Sequence, residues 1–192
     1  MHGPDWLDNV SNLQALLARI SCRANRREVG PAEGFARWRQ MTADLRKRRG
    51  TIYLVGNGAS AAMASHTAAD LAKNAHVHTE VFSDLALITA ISNDIGYECV
   101  FSEPLSRRAR AGDMLVAISS SGRSANVLRA VKVALRRHMA VVTLSAMGPD
   151  NPLRAAGRLN FHVSANSYGL AETCHAAILH HWMDLVEVRR KG

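Results

Sequence analysis

The stretch Met114-Leu115-Val116-Ala117-Ile118-Ser119-Ser120-Ser121-Gly122-Arg123-Ser124 decides how this chain is read. An apolar run of strand length ends in a turn of serines around one glycine. A helical run, Ala125-Asn126-Val127-Leu128-Arg129-Ala130, follows it. Serine hydroxyls, backbone N–H groups and the positive end of a helix dipole then converge where the first helical amides have no partner. Such a point suits an anion, above all a phosphate. A single loop of this kind is explained equally well as an ordinary N-cap. A second one tips the balance.

The second loop, Gly56-Asn57-Gly58-Ala59-Ser60-Ala61, directly follows the apolar run Thr51-Ile52-Tyr53-Leu54-Val55. Its glycines allow close backbone approach to a ligand, and Ser60 can cap the helix that follows. The loop also mimics a dinucleotide fingerprint, with Ala61 in the third glycine position. Glu80 and Asp84 only loosely meet the acidic residue expected after the second strand, and the Gly-Lys-Ser/Thr ending of a P-loop is missing.

Working outward, further strands are expected at Val77–Phe82, Ala140–Leu144 and Leu159–Val163, each separated from the next by a helix. Alternation of this kind predicts right-handed βαβ crossovers. The expected fold class is therefore α/β: a doubly wound, flavodoxin-like, five-stranded parallel sheet flanked by helices, with strand order 2-1-3-4-5. In that order the first and third strands flank the topological switch point, and they are the two that carry the Gly/Ser loops. A crevice lined by both would hold a phosphorylated small molecule. Residues 5–49 read as two helices with the polar stretch Arg23 to Gly30 between them, the second starting at Pro31-Ala32-Glu33 and carrying Phe35, Trp38, Met41 and Leu45. The expected division is a helical extension over 1–50, for packing or oligomerisation, and an α/β domain over 51–192.

Composition narrows the classes. The chain has 192 residues, 47% of them hydrophobic, and no apolar run of membrane-spanning length. Met1-His2-Gly3-Pro4-Asp5 does not open a secretion signal, and the three cysteines lack paired metal spacing, so a reducing cytoplasm is expected. Lys and Arg outnumber Asp and Glu by 24 to 16, giving net charge +8. The densest cluster, Arg46-Lys47-Arg48-Arg49, closes a helix, where cations complement the dipole. No basic stripe interleaved with aromatics appears, so a nucleic-acid partner is not expected, and the charge fits either an anionic small substrate or a solvated surface.

Chemistry has two sources. His66 and Asp70 stand four apart on the helix after the first loop, and share a face. The last helix carries Glu172, His175, His180 and His181. His66, Asp70, Glu172 and either His175 or His180 would form a mixed His/carboxylate metal site, or supply an acid and a base. As an alternative, they are polar residues of an interface, with His181 merely solvated.

At this point the motifs become recognisable. Val55-Gly56-Asn57-Gly58-Ala59-Ser60-Ala61-Ala62 with His66 resembles the opening motif of the phosphoheptose (sedoheptulose 7-phosphate) isomerases, a family of the sugar isomerase (SIS) domain superfamily. Leu87 to Tyr97, Gly112-Asp113, Ser119 to Val127 and the spacing Glu172-x2-His175-x4-His180 match as well. The resemblance spans Thr51 to Glu187. It implies an aldose–ketose isomerase of a phosphorylated sugar, often with zinc, in a homotetramer whose sites lie between subunits. It further implies that Ser119, Ser120, Ser121 and Ser124 hold the phosphate, and that Asn57, Gly58, Ser60, Asp94 and Glu172 contact the sugar. Asp70 would be the base and His180 the acid, and the metal shell would be His66, Asp70, Glu172 and His180, with His175 as the alternative ligand.

Departures mark a divergent branch. Asp70 is one methylene shorter than the family's Glu, and Glu172 replaces a Gln. Gly169 stands in place of a catalytic Asp, and Asn74 in place of a phosphate-side Arg. Asn151-Pro152-Leu153-Arg154 belongs to the same divergent set. Two other readings are a non-catalytic SIS module, such as a binder of a replication initiator, and a nicotinamide-dependent enzyme.

Overall fold

A computed structural model describes residues 5–188. In chain order it contains α1 (Trp6–Ala18), β1 (Ser21–Ala24), β2 (Arg27–Val29), α2 (Pro31–Lys47), β3 (Thr51–Val55), α3 (Ala59–Ala75), β4 (His78–Val81) and α4 (Leu85–Asp94). A 3-10 turn (Tyr97–Cys99) then leads to α5 (Ser102–Arg108), β5 (Met114–Ser119), α6 (Ala125–Arg136), β6 (Ala140–Ala146), α7 (Pro152–Ala156), β7 (Leu159–Val163) and α8 (Tyr168–Val186).

The parallel strands lie in the order β4-β3-β5-β6-β7, which is the expected 2-1-3-4-5 arrangement. All six residues of β5 are buried, because helices cover both faces of this central strand. One face packs Leu54, Met114, Val116 and Ile118 with Leu71, Ile178 and Trp182. The other packs Tyr53, Leu115 and Ala117 with Leu105, Val127 and Val131. Register carries the functional consequence. Val55 pairs with Ala117, so β3 and β5 end side by side and their loops emerge together.

Residues 21–29 correct the reading of the N-terminal segment as two helices with a polar break. The break is a hairpin, β1–β2, whose first strand pairs antiparallel with β7, making a sheet of seven strands. Cys22 and Ala24 point into the core while Ser21 and Arg23 point away, an alternation too short to stand out in sequence. Asn25 (φ 50°) and Arg26 (φ 68°) supply the left-handed turn that a two-residue hairpin needs. The second helix forms as expected, with Trp38 stacked on Trp182 at 4.0 Å. α1 has no fully buried residue: Leu13, Leu16 and Leu17 lean on the core, while Trp6 and Leu7 stay 71% and 69% exposed. Among the described residues, no helix is long and apolar enough to cross a membrane.

Candidate functional site

Gly56 closes the first loop. A Cβ there would lie 2.6 Å from the Ser60 Cβ and 2.8 Å from its carbonyl carbon, so a side chain would push the turn off the start of α3. Gly58, at φ 55° and ψ −125°, is the N-cap and offers α3 no capping side chain. In the second loop the Ser119 and Ser124 hydroxyls are 3.1 Å apart. Ser124 precedes α6 without capping it through its side chain. Both helices therefore present uncapped N-termini toward the same space.

That space is a cleft of about 180 Å³ lined by Asn57, Ser60, Ile118, Ser119, Ser120, Ser121, Ser124, Tyr168 and Glu172. The Ser120 hydroxyl is buried and has no partner, which marks it as a donor available to a ligand. Among the described residues no Lys or Arg lines the cleft, and Arg123 turns outward to Asp150 at 3.1 Å. An anion held here would rest on hydroxyls and helix N-termini. Asn57 is fixed from two sides, exchanging amide hydrogen bonds of 2.9 Å with Asn126 and accepting one of 3.1 Å from the Tyr97 hydroxyl. Beyond the Gly56–Gly58 turn lies an apolar hollow of about 300 Å³, which Gly58 lines together with Phe82, Tyr97 and Phe101.

Farther down the paired helices α3 and α8, the His66 Nε2 lies 3.3 Å from the Asp70 carboxylate, and the His66 and His180 rings are 5.5 Å apart. Each of the three offers a ligand atom within 4.8 Å of the other two. Two imidazoles and a carboxylate suit a divalent first-row metal. The His66 side chain is 61% exposed and that of Asp70 24%, so the group is open on one side.

The remaining residues expected around the site sit elsewhere. Glu172 does not join the His66–Asp70–His180 group. It lines the cleft, eight residues before His180 and about 12 Å back along the helix axis. His175 does not join it either. Five residues from His180 amounts to about 140° around a helix, which turns His175 into the core. There its Nε2 lies 3.2 Å from the Ser145 carbonyl oxygen, and burial pushes its pKa down to about 4. Asp94 ends α4 in an exposed groove with Glu103, Pro104 and Arg107, away from the cleft lining. His181 is exposed and meets Phe35 edge-on at 4.5 Å. Sequence reasoning did not single out Asn126, Tyr97 or Tyr168 as site residues; the signal available was that Tyr97 and Asn126 lie inside the matched stretches and Tyr168 four residues before Glu172.

Comparison with known proteins bears on this geometry. The family model described as "SIS domain" matches residues 21–146. A phosphoheptose isomerase of Campylobacter concisus is 35% identical over 159 residues, covering 80% of this chain and 84% of the relative. The chain belongs to the phosphoheptose isomerase family of SIS domain proteins. Another member, from Akkermansia muciniphila, is 33% identical over 165 residues, with 83% and 85% of the two chains covered. The structure of the phosphoheptose isomerase GmhA from Neisseria gonorrhoeae superposes with a TM-score of 0.81 at 27% identity, covering 95% of each chain. The SIS domain match includes both Gly/Ser loops and ends at Ala146, so it takes in His66 and Asp70 but not α8.

Proposed function

We propose that this protein is an aldose–ketose isomerase that interconverts sedoheptulose 7-phosphate and a heptose 7-phosphate in heptose biosynthesis. One observation carries the reading. A cation-free cleft of hydroxyls and helix N-termini at the switch point lies above a His66–Asp70–His180 group on the same two helices.

In this reading Ser119, Ser120, Ser121 and Ser124 donate to the phosphate, and the N-termini of α3 and α6 favour its charge. Asn57, Ser60 and Glu172 hold sugar hydroxyls. Asp70 takes the proton from C1 of the ketose and returns it to C2, while His180 protonates the C2 oxygen as negative charge develops there, and the C1 hydroxyl gives up its proton. Atoms balance, since one hydrogen moves between carbons and one between oxygens. His66, Asp70 and His180 would hold a divalent cation, which we take to be zinc; when bound it would polarise the sugar's carbonyl and hydroxyl oxygens, taking over at the C2 oxygen the stabilisation that His180 supplies as an acid when no cation is held. Asp70 has two carboxylate oxygens, so holding a cation with one leaves the other for the proton.

We take the working form to be a homotetramer with sites at subunit boundaries, in the cytoplasm. Exposed Trp6, Leu7 and Val10 on α1 support assembly, as do the exposed rings of His66 and His180. Three free, buried cysteines suit a reducing compartment. The test incubates metal-analysed protein with sedoheptulose 7-phosphate in deuterated water, following aldose formation and deuterium uptake at carbon. The expected result is product carrying solvent deuterium. Neither product nor exchange, with or without added zinc, would refute the isomerase reading and leave a sugar-phosphate-binding regulator.

A further inference from the structure

Asn151-Pro152-Leu153-Arg154 takes no part in the chemistry above, yet it lies directly behind the serine loop. Gly122, at φ 63°, is pressed so closely against Asn151 that a Cβ would fall 2.0 Å from the Asn151 Oδ1. The Leu153 amide donates to the Gly122 carbonyl at 3.2 Å. Asn151 is itself held: its Oδ1 accepts from the Arg154 amide at 2.9 Å, and its Nδ2 donates to the Gly148 carbonyl at 2.8 Å. The wall against which the serine loop closes is therefore the first turn of α7.

Arg154 anchors that wall to the far edge of the sheet. Its guanidinium is buried and donates to the Pro149 carbonyl at 3.1 Å, to the Ser21 hydroxyl at 2.7 Å and to the Glu28 carboxylate at 3.2 Å. Ser21 and Glu28 belong to the hairpin β1–β2, and the Ser21 hydroxyl also donates to Glu28 at 2.9 Å. Burial alone would raise the Glu28 carboxyl, but hydrogen bonds from Arg23 and Ser21, with the nearby Arg23 and Arg154 charges, hold it below its ordinary range. An arginine carried into the interior on a five-residue helix, with its fork spread over a turn and a hairpin, is a costly arrangement for a surface corner. It makes sense if the position of that corner matters.

We infer that Arg154 and Asn151 are positioning residues of the phosphate cradle, a strut that transmits the rigidity of the N-terminal hairpin to Ser119–Ser124. Neither touches the ligand. The inference builds on the phosphate reading of the cleft, but not on isomerase turnover. Loss of the strut lets the Gly122 turn relax, so the hydroxyls and the α6 N-terminus no longer converge. Grip on the phosphate weakens, while the acid–base group on α3 and α8 stays in place. The signature is a raised KM with kcat little changed.

The test measures inorganic phosphate binding to the full chain by calorimetry, with KM and kcat for sedoheptulose 7-phosphate alongside. Arg154→Met should weaken phosphate binding about tenfold, the scale of about one charge-assisted hydrogen bond, and raise KM in parallel. Arg154→Lys should recover part of the loss. Leu105→Ala, on the buried face of α5, serves as the control for lost stability alone, and its phosphate affinity should stay within about twofold of native. Should Arg154→Met fail to fold, Glu28→Gln removes the charge from one exposed partner of the guanidinium and should still weaken phosphate about threefold. Native affinity in whichever of Arg154→Met or Glu28→Gln is read, or an equal loss in Leu105→Ala, would overturn the inference. Native protein that binds phosphate without turning over the sugar would sink the isomerase reading and leave this test intact. Native protein that binds no phosphate would sink both.

Discussion

Lowering the pH from 7 to 5 should destabilise this protein through two buried histidines. Burial pushes His175 down to about 4, with the hydrogen bond to the Ser145 carbonyl acting weakly the other way. Burial likewise pushes His162 down to about 4, helped by the charges of Arg154, His175 and Arg23 and opposed by Glu28. Both are therefore neutral in the folded state at pH 5, while in the unfolded chain, with an ordinary value near 6.5, both are largely protonated. The unfolded state binds more protons throughout the window from about 6.5 down to about 4, so stability falls as the pH falls through it. Integrating between pH 7 and pH 5 assigns about 2 kcal/mol to each histidine. For a chain of this length about 4 kcal/mol corresponds to a Tm roughly 10 °C lower. Thermal unfolding followed by circular dichroism at fixed protein concentration measures it, in native protein and in His162→Gln and His175→Gln. Each variant, whatever its own stability, should lose about half of the pH-dependent fall. If both keep the full native slope, carboxylates elsewhere are responsible and the reasoning is wrong.

Other perturbations act on the site itself. Asp70→Asn keeps the shape of the carboxylate but removes the proposed base, so turnover should fall at least a thousandfold, on the order of a lost general base, while sugar-phosphate binding persists by calorimetry; undiminished turnover would eliminate Asp70. Gly56→Ala drives a methyl into the Ser60 backbone, and kcat/KM should drop by about a hundredfold from the displaced start of α3, as steady-state kinetics would report. His180→Ala leaves two ligands of three, so metal content after dialysis, read by elemental analysis, should fall to background; full retention would place the metal elsewhere.

Much of the fold was legible in the residues because it is local in origin. The five parallel strands sit where they were expected, four of them on largely apolar runs and β4 on the more polar His78–Val81 at the sheet edge, and Thr51–Val55 and Leu159–Val163 have the expected bounds. That the two Gly/Ser loops meet was legible as well, since in this strand order β3 and β5 end together. The hairpin at Ser21–Val29 was not legible. Its strands have four and three residues, rich in arginine, and become strands only because β7 offers an open edge.

Sequence alone thus determined an α/β chain with two small-residue turns meeting at one point, and with imidazoles and carboxylates on the helices beside it. Tertiary structure decided which of those side chains meet. Helix phase sends His175 inward and His180 outward, rise along α8 separates Glu172 from the His66–Asp70–His180 group, and a long-range contact ties Arg154 to residues 21 and 28. Periodicity fixes what a segment becomes, because hydrogen bonding and burial pattern are properties of neighbours in the chain. Which distant groups converge depends on packing rotations and offsets, and no local pattern of residues carries those.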